Sequence, residues 1–350
     1  MELLRILSLC LIPFGLANLQ DEILLHHNEC KEDHKHFEGE TLGYTTTWNP
    51  LGAEFALKYP SKFTYISPVW HEVSFLQSAG QTDFSITGDK DEDFVRKAKN
   101  KFKLTPRLII SRTHPRAFLS LIHSDQLIKD LAGRLYSFAK SNEYQGLVFE
   151  FWLQGLGIIQ GFDEYSDYRA LHLRMLCKVA SYFKNKGLVT ILTLPPMRNN
   201  EITVKEFLAL SESFDRLNLM TYDYSPAQPG PNAPLPWIEE TLSTLFDDNE
   251  IDPKKILLGV PFYGYDYKGG RGRAVTGKDF IEILGNKVRD VWKEEDKEHE
   301  FHYKSGGKDC VVYYPTLDMI QQRLNLAKKR GYGVGIWELG QGLEYFFTIF

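Results

Sequence analysis

Eight short apolar runs alternate with amphipathic stretches from residue 41 onward, and that rhythm restricts the fold more than any other feature of the chain. The runs are residues 41–46, 63–69, 104–110, 146–151, 189–194, 216–220, 256–260 and 334–337. They are rich in apolar, β-prone residues and too short for independent helices. Between them, residues 124–140, 165–186, 205–214, 237–245 and 317–329 repeat apolar side chains every three or four positions, as Leu127, Leu131, Leu135 and Phe138 do. Strands alternating with helices build parallel βα units. Eight such units in about 300 residues predict an α/β fold of the closed (β/α)8, or TIM-barrel, type. A doubly wound open sheet is the alternative. It would carry a Gly-rich turn after its first strand, where Thr45-Thr46-Thr47-Trp48-Asn49-Pro50 stands instead.

One segment departs from the rhythm. Residues 265–315 hold Gly269-Gly270-Arg271-Gly272, a charged run and two hairpin-like strands around Ser305-Gly306-Gly307-Lys308. They read as a small α+β insertion on the C-terminal rim after strand seven. Ahead of the barrel, residues 1–17 have the plan of a secretory signal: Arg5, an apolar core and Gly15-Leu16-Ala17. The expected location is therefore secreted, with the lysosome as a variant of it. The apolar run is too short to span a bilayer, and no later stretch is long enough. Residues 18–40 are polar. Their histidines (His26, His27, His34, His36) and Cys30 lack the spacing of a zinc site and read as a solvated lead-in to the domain, so neither metal nor other cofactor is expected. A net charge of −5 gives no broad grip on nucleic acid. Removing the leader leaves Cys30, Cys177 and Cys310, an odd number, and whether Cys30 pairs with Cys310 stays open.

A (β/α)8 barrel does its work where the strands end, at the C-terminal face. The residues placed there are Trp48 after strand one, Trp70 after strand two, Glu150 and Trp152 on strand four, Met220, Tyr222 and Asp223 after strand six, Tyr263 after strand seven and Trp337 on strand eight. Four tryptophans at four strand ends, with few polar groups among them, suit a concave ligand site. Strand alternation puts Val148, Glu150 and Trp152 on one face, so Trp152 either plugs the mouth or contacts the ligand. A carboxylate on a buried strand needs a partner, and Arg107 on the neighbouring third strand is the candidate for Glu150.

Five motifs carry a family resemblance. They are Gln145-Gly146-Leu147-Val148-Phe149-Glu150-Phe151-Trp152, Met220-Thr221-Tyr222-Asp223-Tyr224-Ser225, Gln228-Pro229-Gly230-Pro231-Asn232-Ala233-Pro234-Leu235, Ile256 to Gly264, and Gly335-Ile336-Trp337-Glu338-Leu339-Gly340-Gln341-Gly342. Over residues 41–350 the chain resembles glycoside hydrolase family 18, the chitinase family. The loop after strand six points to its narrower branch of stabilin-interacting, chitinase-domain-containing proteins. Active members read Asp-Gly-x-Asp-x-Asp-x-Glu on strand four. The last glutamate protonates the leaving oxygen, and the preceding aspartate orients the substrate's acetamido group for substrate-assisted hydrolysis. Here those places hold Trp152, Glu150 and Val148, and an indole has no useful acidity.

The resemblance therefore implies a barrel with a sugar groove and no catalytic residue: a chitinase-like lectin for chito-oligosaccharides or related glycans, lipopolysaccharide included. An innate-immune or scavenging role and a scavenger-receptor-type, stabilin-like protein partner follow from the resemblance alone. By the same token Trp337 would floor the central sugar subsite, and Tyr222 with Asp223 would contact an N-acetyl group. Two alternatives stand: a working glycosidase using Glu150 or Glu338 as a displaced acid, and a protein-interaction scaffold whose groove its own side chains fill.

Overall fold

The computed structural model describes residues 18–78, 81–196, 201–247 and 249–350. The leader-like residues 1–17 lie outside them. Eight parallel strand positions form the barrel. Strand one is Thr41–Thr45, four Gly146–Glu150, five Val189–Leu194, six Arg216–Leu219, seven Ile256–Pro261 and eight Gly333–Trp337. Strands two and three each come in two pieces, Tyr65–Pro68 with His71–Ser78 and Lys103–Leu104 with Arg107–Ser111. Strand one pairs with eight and with Tyr65–Pro68, which pairs in turn with Lys103–Leu104. His71–Ser78 pairs with Arg107–Ser111, and that piece pairs with strand four. The remaining neighbours follow in sequence order from four to eight, so the ring closes through the two broken strands. The expected (β/α)8 barrel is present, with its eight strands within a few residues of their expected places.

The interior is packed in layers. At the bottom, Arg216 forks onto Glu40, which also accepts from the Tyr65 hydroxyl (3.0 Å). Above lies an apolar cluster of Leu42, Tyr44, Tyr65, Val148, Ile191 and Leu257, with Trp337 resting on it. The helices form the outer layer, and their starts follow from capping chemistry. Ser124 caps Asp125–Ser141, Thr203 with Glu206 makes a capping box for Val204–Ser213, and Thr316 caps Leu317–Arg330. Burying their apolar faces against the strands supplies most of the driving force.

The insertion after strand seven is a five-stranded antiparallel sheet: Gly264–Gly269, Arg271–Val275, Arg289–Lys293, Glu298–Ser305 and Lys308–Tyr313, with helix Gly277–Leu284. The expected hairpin is there, turning at Gly306-Gly307. Strand two carries a feature with no sequence signal. It runs on to Ser78 and pairs antiparallel with Gln81–Thr87.

The polar lead-in is not a solvated tail. Leu19–His26 is a helix with Ile23 fully buried, Phe37 is buried, and His36 N donates to Phe350 O (2.8 Å). Cys30, Cys177 and Cys310 are all free. Cys30 lies near Tyr59, whose hydroxyl donates to its carbonyl, whereas Cys310 is in the rim sheet. Among the described residues no helix is long and apolar enough to cross a membrane.

Candidate functional site at the barrel mouth

Strand four ends at Glu150. Phe151 then turns into a helical backbone conformation (φ −110°, ψ −21°), and Trp152 opens helix Trp152–Ile159. Strand alternation therefore stops one residue before it would carry Trp152 inward. The expectation that Val148, Glu150 and Trp152 share one face is corrected: Trp152 leaves the barrel and is 0% exposed. Its indole stacks on His172 (5.5 Å between centroids, 25°), has the Arg169 guanidinium over it at 5.4 Å and donates from Nε1 to Glu201 O (2.9 Å). Burial pushes His172 down to about 4, so the imidazole is neutral beside the indole. Trp152 touches no groove and is removed from the glycan-contact set.

Glu150 stays at the mouth. Arg107 Nη1 donates to its Oε2 (2.5 Å) and Gln154 Nε2 to its Oε1 (2.8 Å). The expected Arg107–Glu150 pair is thus formed, with side-chain exposures of 12% and 22%. Arg107 also places its guanidinium carbon 5.3 Å from the centre of the Trp337 ring, within cation–π range. Tyr44 packs on Trp337 at 5.2 Å, and its hydroxyl donates to Asn218 Oδ1 (2.8 Å). Gly335 is required here, because a Cβ would lie 2.7 Å from Asn218 Nδ2.

The wall from strands six and seven is built around Asp223. Its backbone is left-handed (φ +61°), a conformation that aspartate tolerates. Asn232 Oδ1 holds it by accepting from Asp223 N (2.9 Å). Asp223 Oδ1 accepts from the hydroxyls of Tyr263 and Tyr265. Burial, followed by the Asp223 charge for Tyr263 and its hydrogen bond for Tyr265, raises both phenols above their ordinary range, so both remain donors. Tyr222 packs against Tyr263 at 6.2 Å. Burial raises its pKa too, with smaller contributions from Tyr44, Asp223 and Glu150. Met220 is half-buried at the end of strand six.

This wall is anchored from behind. Glu298, buried in the rim sheet, accepts from Asn232 N (3.0 Å) and Ala233 N (2.7 Å). Arg323, with no side-chain exposure, donates to Glu298 (3.3 Å) and to the carbonyls of Ala233 and Lys297. Burial raises Glu298 and lowers Arg323 to about 10. No sequence motif announced the Glu298–Arg323 anchor, since its members lie in different elements.

Trp48 is at the mouth and 61% exposed. Trp70 is not a rim residue. It sits at the break within strand two, half-buried, edge-on to Phe94 (5.9 Å) and near Tyr144 (6.5 Å), because strand two continues beyond it. Glu338 is fully buried behind strand eight, accepting from Asn49 Nδ2 (3.2 Å) and Gly340 N (3.2 Å). Burial pushes its carboxyl up to about 7. Among the described residues no group of His, Cys, Asp and Glu is placed to hold a metal ion.

Residues 40–342 match the model of glycosyl hydrolases family 18. The chain belongs to that family. The uncharacterized glycosylase YvbX of Bacillus subtilis (strain 168) is 24% identical over 337 residues, covering 88% of this chain and 89% of that protein. Human di-N-acetylchitobiase is 24% identical over 164 residues, 37% of this chain and 42% of that protein. Among solved structures, a chitinase from Chromobacterium violaceum ATCC 12472 superposes with a TM-score of 0.72 at 19% identity, covering 89% of this chain and 97% of its own. That likeness speaks for the fold. In this chain Glu150 and Trp337, and Tyr222, Asp223 and Tyr263, are joined by contacts at the mouth, Met220 and Trp48 lie at neighbouring strand ends, and Trp152 and Trp70 are in packing.

Proposed function

We propose that this family 18 chain is a catalytically inactive, chitinase-like lectin that holds chito-oligosaccharides or related glycans at the mouth of its barrel. One observation carries the reading. The carboxylate at the mouth, Glu150, has both oxygens engaged by Arg107 and Gln154, while the acid position two residues on holds an outward-turned tryptophan. Substrate-assisted hydrolysis needs a proton donor at the glycosidic oxygen, worth ~10²–10⁴-fold in rate. Neither residue offers one. Glu338 has a carboxyl of suitable acidity but is buried behind strand eight.

Binding groups remain. Trp48 and the accessible edge of Trp337 offer aromatic surface, and Tyr222, Asp223 and Tyr265 offer hydrogen bonds. Sugar grooves carry polar desolvation costs, so affinity is expected in the micromolar range or weaker. Secretion or lysosomal residence, recognition of lipopolysaccharide, an innate-immune or scavenging role and a stabilin-like receptor partner belong to the same proposal. They rest on the signal-like leader and on the loop motif of the narrower branch.

The test pairs a fluorogenic chito-oligosaccharide assay across pH 3–8 with a glycan-array screen of the mature protein. Glycan binding lost on Tyr222→Ala, with no turnover at any pH, is the expected result. Turnover abolished by Glu150→Gln would replace the lectin by a glycosidase, and no glycan binding at all would favour a scaffold.

A further inference from the structure

Strands four and eight stand on opposite sides of an eight-membered ring. A side chain that touches side chains from both must reach into the centre of the mouth. Arg107 does so from strand three: one end of its guanidinium is hydrogen-bonded to Glu150 on strand four, and the same group lies over the Trp337 indole on strand eight. Arg107 thus links Glu150 on strand four to Trp337 on strand eight at the mouth. Tyr44 packs against the same indole at 5.2 Å. A pyranose stacking on Trp337 would compete with the guanidinium for the ring.

We infer that Arg107 is the specificity-determining residue of the mouth, closing the central stacking position on Trp337 and confining a glycan to the wall from Tyr222 through Asp223 to Tyr265. Glu150 is the positioning residue that holds it there, with Gln154 fixing the second carboxylate oxygen. The inference rests on the proposed glycan site and deepens it. A wall without the central stacking position grips fewer sugar rings than an open groove. Recognition then depends on hydrogen bonds along the tyrosine wall more than on stacking at the axis.

The test uses the whole mature chain and N-acetylchitotetraose as probe. Arg107→Ser should tighten binding by about tenfold in calorimetry, with a change in tryptophan fluorescence absent from wild type. Because that variant leaves Glu150 without its cation, Arg107→Ser with Glu150→Gln is measured alongside and should show the same gain in a chain free of the lone charge. Adding Trp337→Phe to either variant should cancel the gain. Affinity unchanged or weaker in the folded variants, or a gain that survives Trp337→Phe, overturns the inference. Wild type that binds while the variants bind no tighter defeats this inference and leaves the lectin reading standing. Variants that bind where wild type does not defeat the lectin reading and the confinement of a glycan to the wall, and leave only the closure of Trp337 by Arg107 standing. Absence of binding in all of them defeats both.

Discussion

The two halves of the barrel mouth have been treated differently. On the side of strands three and four, polar groups turn inward: Arg107 and Gln154 both donate to Glu150, and Trp152 has gone into the layer between helices. On the side of strands six and seven, Tyr222, Asp223, Tyr263 and Tyr265 still line the mouth, and a buried ion pair holds their loop from behind. One half spends its side chains on packing. The other spends packing on presenting side chains. On the proposed reading, direct glycan contact falls mainly to the arc of strands six and seven, while the arc of strands three and four no longer offers a proton donor.

The comparison can be broken most severely from behind. Arg323→Met leaves Glu298 buried and uncompensated and should cost ~3–5 kcal/mol, seen as a lower midpoint in thermal or denaturant unfolding and as lost glycan binding. A stable variant with native affinity would mean that the anchor does not shape the wall. Trp152→Ala removes a fully buried indole and should cost ~3–5 kcal/mol by its cavity and transfer terms. Glycan affinity of the remaining folded protein should be unchanged, because Trp152 lies outside the mouth. An affinity loss beyond the unfolded fraction would put that residue back in the groove.

Glu338 gives a pH-dependent contrast. Its folded pKa, about 7, is above the ordinary 4.5. Its contribution is fully present below about 4.5 and is lost as pH rises through 7. Relative to Glu338→Gln, wild type should lose on the order of 2–3 kcal/mol between pH 5 and pH 8. His71 and His172, both lowered to about 4 by burial, act in the opposite sense as pH falls below their ordinary 6.5. Hence the paired comparison of variants, and not the wild-type curve alone, carries the sign. The smallest effect is expected at Asp223→Asn, which replaces a charged acceptor for two tyrosine hydroxyls by a neutral one. A loss of about 1–2 kcal/mol in glycan binding is expected, read by calorimetry; no loss would remove Asp223 from the wall.

Much of the architecture was legible because it is written in period and punctuation. Runs such as Val189–Leu194 and caps such as Thr203 with Glu206 specify their elements locally. The Arg107–Glu150 pair was legible too, because a buried carboxylate on a strand demands a cation on its neighbour. Trp152 was misread because alternation was carried past the end of strand four, where a single helical residue, Phe151, resets direction. Trp70 was misread because strand two breaks and resumes, which no composition shift marks. The placement of Arg107 over Trp337 joins residues 107 and 337 across the ring, and only closure of the barrel brings them together.

On the proposed reading, the mouth binds a glycan without cleaving it. The direct measurement is a calorimetric titration of the protein with N-acetylchitotetraose, followed by quantification of reducing ends in the same sample after prolonged incubation. Saturable binding with reducing ends unchanged from the protein-free control is the predicted result. New reducing ends above that control, or no saturable binding, would contradict it.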